Sequence, residues 1–168
     1  MGFIDTSNDP KVPVFYNVVH AVGLQCPNPR DDVKLVQYLL LAFYDKALAS
    51  SSVYTRPNGN LTVDGSCGPI TNNWILKFQL DVNKRYPNTV MEDSRMDRVR
   101  NKDLIGSISG TVYTLAILNR FVQAINPDAW ALVPALIPLD NQESVPPPSN
   151  DVVGDGESTI VPDEIGGF

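Results

Sequence analysis

The sequence predicts a mainly α fold: a small three-helix bundle with an extended N-terminal arm and a proline-rich, acidic C-terminal tail. Three segments repeat apolar residues at helical spacing, and strand-forming residues occur only in short, scattered runs. The chain has 168 residues, enough for one domain with an appended tail and a core that needs no covalent staple. We expect an arm at 1–20, a helical domain at 21–137 and a tail at 138–168.

The arm at 1–20 is predicted to be irregular, because Pro10 and Pro13 each fix φ and lack an N–H group. His20 follows in an apolar run, which favours a packed structural histidine, although a Cys/His pair remains an alternative. The first residues lack the basic and apolar regions of a secretory signal, so no signal peptide is expected.

The first helix is predicted at about 31–44, where Asp31 or Asp32 is placed to cap its start. Its apolar face is formed by residues at offsets of three, four and three: Val33, Val36, Leu40 and Phe43.

A second helix is predicted at about 69–83, beginning at Pro69, where the missing N–H costs nothing. Between these two helices, 54–56 and 61–63 flank a turn and predict a small hairpin or an ordered turn. The third helix is predicted at about 111–125, with Ser109 as its cap. Each helix is too short to bury its apolar face alone, which favours a compact bundle.

The net charge of −6 at pH 7 originates in the tail. Seven acidic residues and no lysine or arginine lie from Asp140 to Glu164, so residues 1–138 hold 12 acidic and 13 basic residues. This near-neutral body has no electrostatic footprint for nucleic acid. Its basic run from Lys84 to Lys102 contains acids and is interpreted as a self-paired, solvated surface. No apolar stretch approaches the ~20 residues of a membrane span, so neither nucleic acid nor membrane is an expected partner.

Cysteine and histidine are too few for an ordinary zinc site. Catalytic zinc takes about three protein ligands and structural zinc about four, whereas His20, Cys26 and Cys67 lack close ligand spacing and could meet only by converging in space. No metal or cofactor is expected. For the two cysteines, buried apolar packing is favoured, and a disulfide and a reactive thiol remain alternatives.

The segment at 61–79 carries the most specific pattern, a glycine turn that leads into a helix. It resembles the signature of the peptidoglycan-binding-domain-like superfamily: Asp-Gly, one residue, Phe, Gly, often Pro, then Thr, and an apolar residue before Phe-Gln. The positions in register are Asp64, Gly65, Gly68, Pro69, Thr71, Ile75, Phe78 and Gln79.

The predicted first helix is also similar to that family, whose first helix has a Leu-Gln pair where Val36-Gln37 stand here. The resemblance covers about 22–83, and the third helix only in outline. Two departures suggest a repacked turn: Cys67 replaces the usual aromatic residue and Trp74 replaces a small one.

The resemblance implies a three-helix bundle that acts as a non-catalytic module for peptidoglycan glycan or stem peptide. Such a site needs exposed aromatic faces and hydrogen-bonding groups in a shallow concavity. Trp74 is open to a second interpretation, because its spacing from Phe78 is that of a core residue. The candidate binding residues around the turn are Gln37, Tyr38, Tyr44, Asp64, Ser66, Asn72, Asn73 and Trp74.

Two alternatives remain. In the first alternative to the binding module, the chain is a structural subunit of a phage virion, tail or contractile injection apparatus and uses 1–20 and 138–168 as clamps on neighbouring subunits. In the second, it is a small cell-wall hydrolase. The hydrolase is disfavoured because no acidic pair lies in a diagnostic motif, so we expect no enzymatic activity. A virion or exported assembly is the expected location for a structural subunit, and the cytoplasm otherwise.

Overall fold

The computed structural model describes residues 1–51, 53–106 and 109–140. Of these, 43% are helical and 12% lie in strands or bridges, so the fold is mixed α and β rather than mainly α as predicted. The described residues form, in order, β1 (Phe3–Thr6), β2 (Val14–Asn17), β3 (Val22–Gly23), α1 (Arg30–Ser50), α2 (Pro69–Arg85), β4 (Arg95–Met96), α3 (Thr114–Ile125), α4 (Pro127–Ala131) and α5 (Val133–Leu136).

The predicted irregular arm is instead an antiparallel hairpin of β1 and β2, with Phe3 opposite Asn17 and Thr6 opposite Val14. Both prolines lie in the connection between the strands, where they remove no ladder hydrogen bond. The hairpin belongs to the core, because Phe15 is fully buried. Asn119 of α3 holds β2 in place: its Oδ1 accepts from the Tyr16 N–H at 2.8 Å and its Nδ2 donates to the Tyr16 carbonyl at 3.0 Å.

Helix α1 is longer than predicted at its C-terminal end, because the fully buried Ala47 continues its apolar face past the exposed Asp45. The prediction of a capping aspartate is wrong. Pro29 precedes the helix without a side-chain cap, and Asp31 and Asp32 lie inside the first turn. Asp32 is buried, and its Oδ2 accepts from the His20 backbone N–H at 3.0 Å.

Helices α1, α2 and α3 meet in an aromatic cluster formed by one phenylalanine from each. The Phe43 ring centroid lies 5.1 Å from that of Phe78 and 5.8 Å from that of Phe121. Helix α3 begins three residues later than predicted, after Tyr113, so Ser109 is not its cap. Such aromatic contacts add to the apolar area that the helices bury, and they fix the relative positions of all three.

The connection from 53 to 68 is an ordered turn, and the structure places no strand among its described residues. Tyr54 and Leu61 are buried and anchor it to the core. The other outcome left open by the sequence, a small hairpin, is not formed. The glycine turn is the last part of this connection and lies directly before α2.

A second two-stranded sheet joins β3 to β4, with Val22 opposite Met96 and Gly23 opposite Arg95. It binds the segment after the hairpin to the connection between α2 and α3. At the other end of the described chain, the Asp140 N–H donates to the Gly2 carbonyl at 2.8 Å. The rest of the predicted tail, 141–168, and its proposed role as a clamp lie outside the described residues. No helix in the described part of the chain has the length and apolarity to cross a membrane.

Candidate functional site

The glycine turn predicted from the sequence is held by the side-chain amide of Gln37, which is buried in α1. Its Nε2 donates to Asp64 Oδ1 at 3.0 Å, to the Ser66 carbonyl at 3.0 Å and to Thr71 Oγ1 at 3.2 Å. Its Oε1 accepts from the Gly65 N–H at 2.9 Å. Gln37 therefore shapes the turn from the inside, and its amide is fully engaged within the protein.

The two glycines of this turn have different roles. Gly65 has φ of +78°, in the left-handed region that favours glycine. Gly68 has φ of −116° and ψ of −168°, ordinary extended backbone that any residue can adopt. Pro69 begins α2 as predicted, and Ile75 and Phe78 are fully buried core residues.

Three of the predicted binding residues are packed against the protein itself. Trp74 is fully buried, and its Nε1 donates to the Gly59 carbonyl at 3.1 Å. The buried Tyr44 hydroxyl donates to Asp81 Oδ2 at 2.7 Å, and burial with the Asp81 charge raises the pKa of Tyr44. Tyr38 is half-buried, and its hydroxyl donates to the Ala129 carbonyl at 2.9 Å.

The remaining candidates lie at or near the surface. Asp64 and Ser66 are exposed, while Asn72 and Asn73 are half-buried beside them. The turn forms a depression of about 180 Å³, small beside the ~300–1,000 Å³ of typical ligand pockets. Hydrogen bonds from the Ser66 N–H and the Gln37 side chain lower the pKa of Asp64, which keeps this carboxylate ionised.

A second buried glutamine, Gln79 of α2, repeats the arrangement around Gln37. Its Nε2 donates to Asp93 Oδ1 at 3.0 Å, to the Arg95 carbonyl at 2.9 Å and to Thr114 Oγ1 at 3.4 Å. Its Oε1 accepts from the backbone N–H groups of Asp93 at 3.1 Å and Ser94 at 2.9 Å.

The two amides have the same set of partners: an aspartate, the carbonyl two residues after it, and a threonine in the first turn of the next helix. In both turns the aspartate Oδ1 also accepts from the N–H two residues on, at 2.8 Å for Ser66 and 3.0 Å for Arg95. This repeat was not predicted, because Asp93 and Thr114 lie much farther apart along the chain than Asp64 and Thr71. We call the arrangement around Gln37 the first unit and the arrangement around Gln79 the second unit. In the second unit, the extra residues between Asp93 and Thr114 form a long connection.

That connection forms part of a groove of about 900 Å³. Its walls come from the segment at 19–27, the segment at 91–100 and the start of α3 with the residues before it. Hydroxyl groups line it at Ser109, Thr111 and Tyr113. The charged or titratable side chains along it are His20, Asp93, Arg95, Asp97, Arg98 and Arg100.

The arginines of the groove are not neutralised by close acidic partners. None of Arg95, Arg98 and Arg100 forms an ion pair within the part of the chain that the structure describes. Arg95 Nε donates to the Leu24 carbonyl at 3.0 Å, and the Arg98 guanidinium lies 5.1 Å from the centroid of the Phe3 ring. The predicted self-paired basic surface is thus an arginine-lined groove, which sequence reasoning missed because its walls are distant in sequence.

Acidic groups give the groove a mixed charge. Burial and the nearby Asp93 raise the pKa of Asp97, and Arg95 and Arg100 oppose this rise. The arginine guanidinium groups of the groove can bind carboxylates of a ligand, and its aspartate carboxylates can bind amino groups. It suits a ligand that carries carboxylate and amino groups.

Both cysteines are free thiols and half-buried. Within the described ranges, His, Cys, Asp and Glu form no group of three or more that could hold a metal ion.

No family model matches the chain, and no curated protein or solved structure matches it. The resemblance to the peptidoglycan-binding-domain-like superfamily therefore stays a prediction from residues 61–79 and the α1 sequence.

Proposed function

We propose that this chain is a non-catalytic cell-wall binding module whose helices α1, α2 and α3 correspond to the peptidoglycan-binding-domain-like three-helix bundle. The ligand is the stem peptide of peptidoglycan, bound in the groove rather than at the glycine turn. One observation carries this assignment: the groove has a volume of about 900 Å³ and is lined by three arginines that lack ion pairs among the described residues.

Stem peptides present carboxylate groups and, where they contain a diamino acid, an amino group. Guanidinium groups bind such carboxylates with charge-assisted hydrogen bonds. Asp93 and Asp97 lie in the same groove and complement an amine. The glycine turn has a structural role in this proposal, because Gln37 already uses its amide to hold that turn.

Sedimentation with purified sacculi tests the proposal. Arg100→Gln removes a guanidinium that donates no hydrogen bond to any described residue, so we expect the fold to be preserved while one ligand contact is lost. A hydrogen bond to a charged group contributes about 1.5–3 kcal/mol, so affinity should fall roughly 10- to 100-fold. Lys46→Gln, an exposed charge change on α1, is the control and should bind as the parent does.

Ile70→Ser distinguishes the groove from the turn, because Ile70 is 44% exposed and lines the small depression. Loss of binding in this variant, with Arg100→Gln unaffected, would move the site to the turn and refute the groove. A parent protein that stays in the supernatant at low salt refutes wall binding altogether. Release of soluble fragments from the sacculi would show hydrolysis and contradict a non-catalytic role.

A second candidate, a structural subunit of a larger assembly, is favoured by an exposed apolar ridge that is formed by Leu132, just before α5, and Leu136, the last residue of α5. Leu132 and Leu136 are 51% and 58% exposed, one helical turn apart, shortly before the acidic tail. Leu136→Ser and deletion of 141–168 test this role by analytical ultracentrifugation of the protein with its purified neighbouring subunits. Complexes formed as well by both variants as by the parent would exclude the ridge and the tail as subunit contacts.

A further inference from the structure

The free edge of β1, meaning the side of this strand that faces away from β2, is paired at one end only. There Gly2 bridges to Leu139 in parallel orientation, and the Asp140 N–H donates to the Gly2 carbonyl at 2.8 Å. Asp140 is also the last residue that the structure describes before 141–168. The described chain therefore ends with its backbone already alongside β1 and running in the same direction.

The next backbone groups along this edge belong to Ile4. Antiparallel strands alternate between residue pairs that exchange hydrogen bonds and pairs that do not. Ile4 lies opposite Tyr16, and both backbone groups of Tyr16 bond to the Asn119 side chain instead, at 2.8 and 3.0 Å. The Ile4 N–H and carbonyl therefore point away from β2, and no other described residue forms a hydrogen bond to either group. Ile4 is half-buried, and burial of backbone groups without partners costs free energy.

The segment at 141–145 has the length to fill this edge. Each of its residues carries an N–H group, whereas the three prolines at 146–148 cannot donate to a ladder. Continuing the register of the existing parallel bridge places Glu143 beside Thr6, the last residue of β1. The segment without proline therefore covers all that remains of β1.

We propose that residues 141–144 dock on the free edge of β1 as a third strand, parallel to β1 and contributed by the same molecule. The chain is already held at Gly2 when it reaches Asp140, so the docking strand needs no further loop closure. A strand added to a sheet edge gains its affinity from main-chain hydrogen bonds. This mode of binding suits a segment whose side chains are all polar.

The expected ladder follows from the parallel register, in which every second residue of each strand bonds to its neighbour. The Ile4 N–H donates to the Asp140 carbonyl, and the Gln142 N–H donates to the Ile4 carbonyl. The Ser144 N–H then donates to the Thr6 carbonyl. The N–H groups of the residues between these positions point away from β1.

Docking also affects association with other chains. An unpaired edge strand presents N–H and carbonyl groups with which another chain can pair, and the third strand covers them. The acidic tail then leaves the domain at the Thr6 end of β1. Near that end the Asn8 N–H donates to the Lys102 carbonyl at 2.8 Å, so the tail begins beside the end of the basic run.

Amide hydrogen exchange, measured by NMR on the full-length protein, tests the proposal. We expect an alternating pattern, in which the amides of Gln142 and Ser144 exchange slowly and those of Asn141 and Glu143 exchange freely. The Ile4 amide should also exchange slowly. One hydrogen bond of ordinary strength corresponds to a slowing of roughly 2- to 10-fold, and cooperative docking of the strand increases it.

Two proline variants distinguish a docked strand from other causes of slow exchange. Gln142→Pro removes the N–H that donates to the Ile4 carbonyl, so the Ser144 amide should lose its protection. Asn141→Pro is the matched control, because the N–H that it removes faces solvent, an orientation in which edge strands tolerate proline. The Ser144 amide should remain protected in this control.

Uniformly fast exchange from 141 to 145, or equal Ser144 exchange rates in the two proline variants, overturns the proposal. Protection that disappears on dilution, together with a dimer in analytical ultracentrifugation, assigns the edge to a strand from a second copy and overturns docking within one molecule. None of these measurements uses sacculi, so failure of strand docking and failure of wall binding are separate results.

Discussion

Replacement of Gly65 by alanine is the sharpest test of the glycine turn. Gly65 has φ of +78°, and a Cβ added there would overlap Arg30 Cγ and lie 2.8 Å from the Arg30 carbonyl oxygen at the start of α1. A left-handed backbone costs a non-glycine residue about 1–2 kcal/mol. The clash also displaces the Gly65 N–H from Gln37 Oε1, a bond worth roughly 0.5–1.5 kcal/mol. Together these two effects predict a loss of about 1.5–3.5 kcal/mol in the free energy of unfolding.

Gly68→Ala is the matched control in the same turn. No atom lies within 4 Å of an added Cβ at Gly68, and its φ of −116° is open to any residue. Alanine there should change the unfolding free energy by less than about 1 kcal/mol, because the freedom that the unfolded chain loses is offset by the poorer N-cap preference of alanine at the start of α2. Urea unfolding followed by far-UV circular dichroism measures both variants. Equal midpoints for the two variants would contradict the assignment of different roles to these glycines.

Three further changes test the surrounding structure. Gln79→Leu leaves two backbone N–H groups without their acceptor and should lower the unfolding free energy by about 2–4 kcal/mol in urea titrations. Gln123→Leu is the control: this glutamine is half-exposed on α3, and its replacement should lower the unfolding free energy by less than about 1 kcal/mol. Trp74→Ala should destabilise the isolated protein by about 3–5 kcal/mol in the same assay, because this ring is a core residue rather than a surface contact. Burial raises the pKa of Tyr16 from 10.0 to about 12 and also raises that of Tyr44. The stability that these two hydroxyls contribute is therefore fully present below about pH 10, and urea midpoints should fall as pH rises from 10 toward 12. An unchanged midpoint over that range contradicts the burial of these hydroxyls.

The three main helices were predictable because each carries an apolar face at helical spacing that the structure buries. The first and last residues of these helices were less predictable. Helix α1 runs on to Ser50 because the small Ala47 is buried, and the polar pair before it suggested an end at Tyr44. Helix α3 begins after Tyr113 because the preceding residues pair elsewhere, as when the Val112 N–H donates to the Thr89 carbonyl at 2.9 Å. Local pattern alone contains no information on such partners.

The N-terminal hairpin was not predictable from local signals. Its connection carries two prolines, which argue against strands when the pairing is unknown. The contact that fixes β2 comes from Asn119, which is remote in sequence, and it satisfies both backbone groups of Tyr16. A long-range polar contact therefore decided the structure of a segment whose own composition favoured an irregular arm.

The candidate binding residues were chosen for their chemistry, but the structure buries some of them in the core and leaves others exposed at the surface. Trp74 and Tyr44 have the right ring chemistry for a sugar, but both are fully buried in the core. The charged run near Arg98 and Arg100 was interpreted as self-paired because acids alternate with it in sequence. Alternation along an irregular connection does not place opposite charges in contact, and the arginines line the groove instead.

The repeated glutamine arrangement explains why the groove lies where it does. Gln37 and Gln79 each engage both amide atoms, so neither turn can rearrange without leaving buried polar groups unsatisfied. In the first unit the turn passes almost directly into α2, and little room remains for a ligand. In the second unit a long connection separates Asp93 from Thr114, and those added residues form the groove wall. Gln79 thus holds both ends of that connection, through Asp93 and Thr114, and the proposed ligand site lies along its middle.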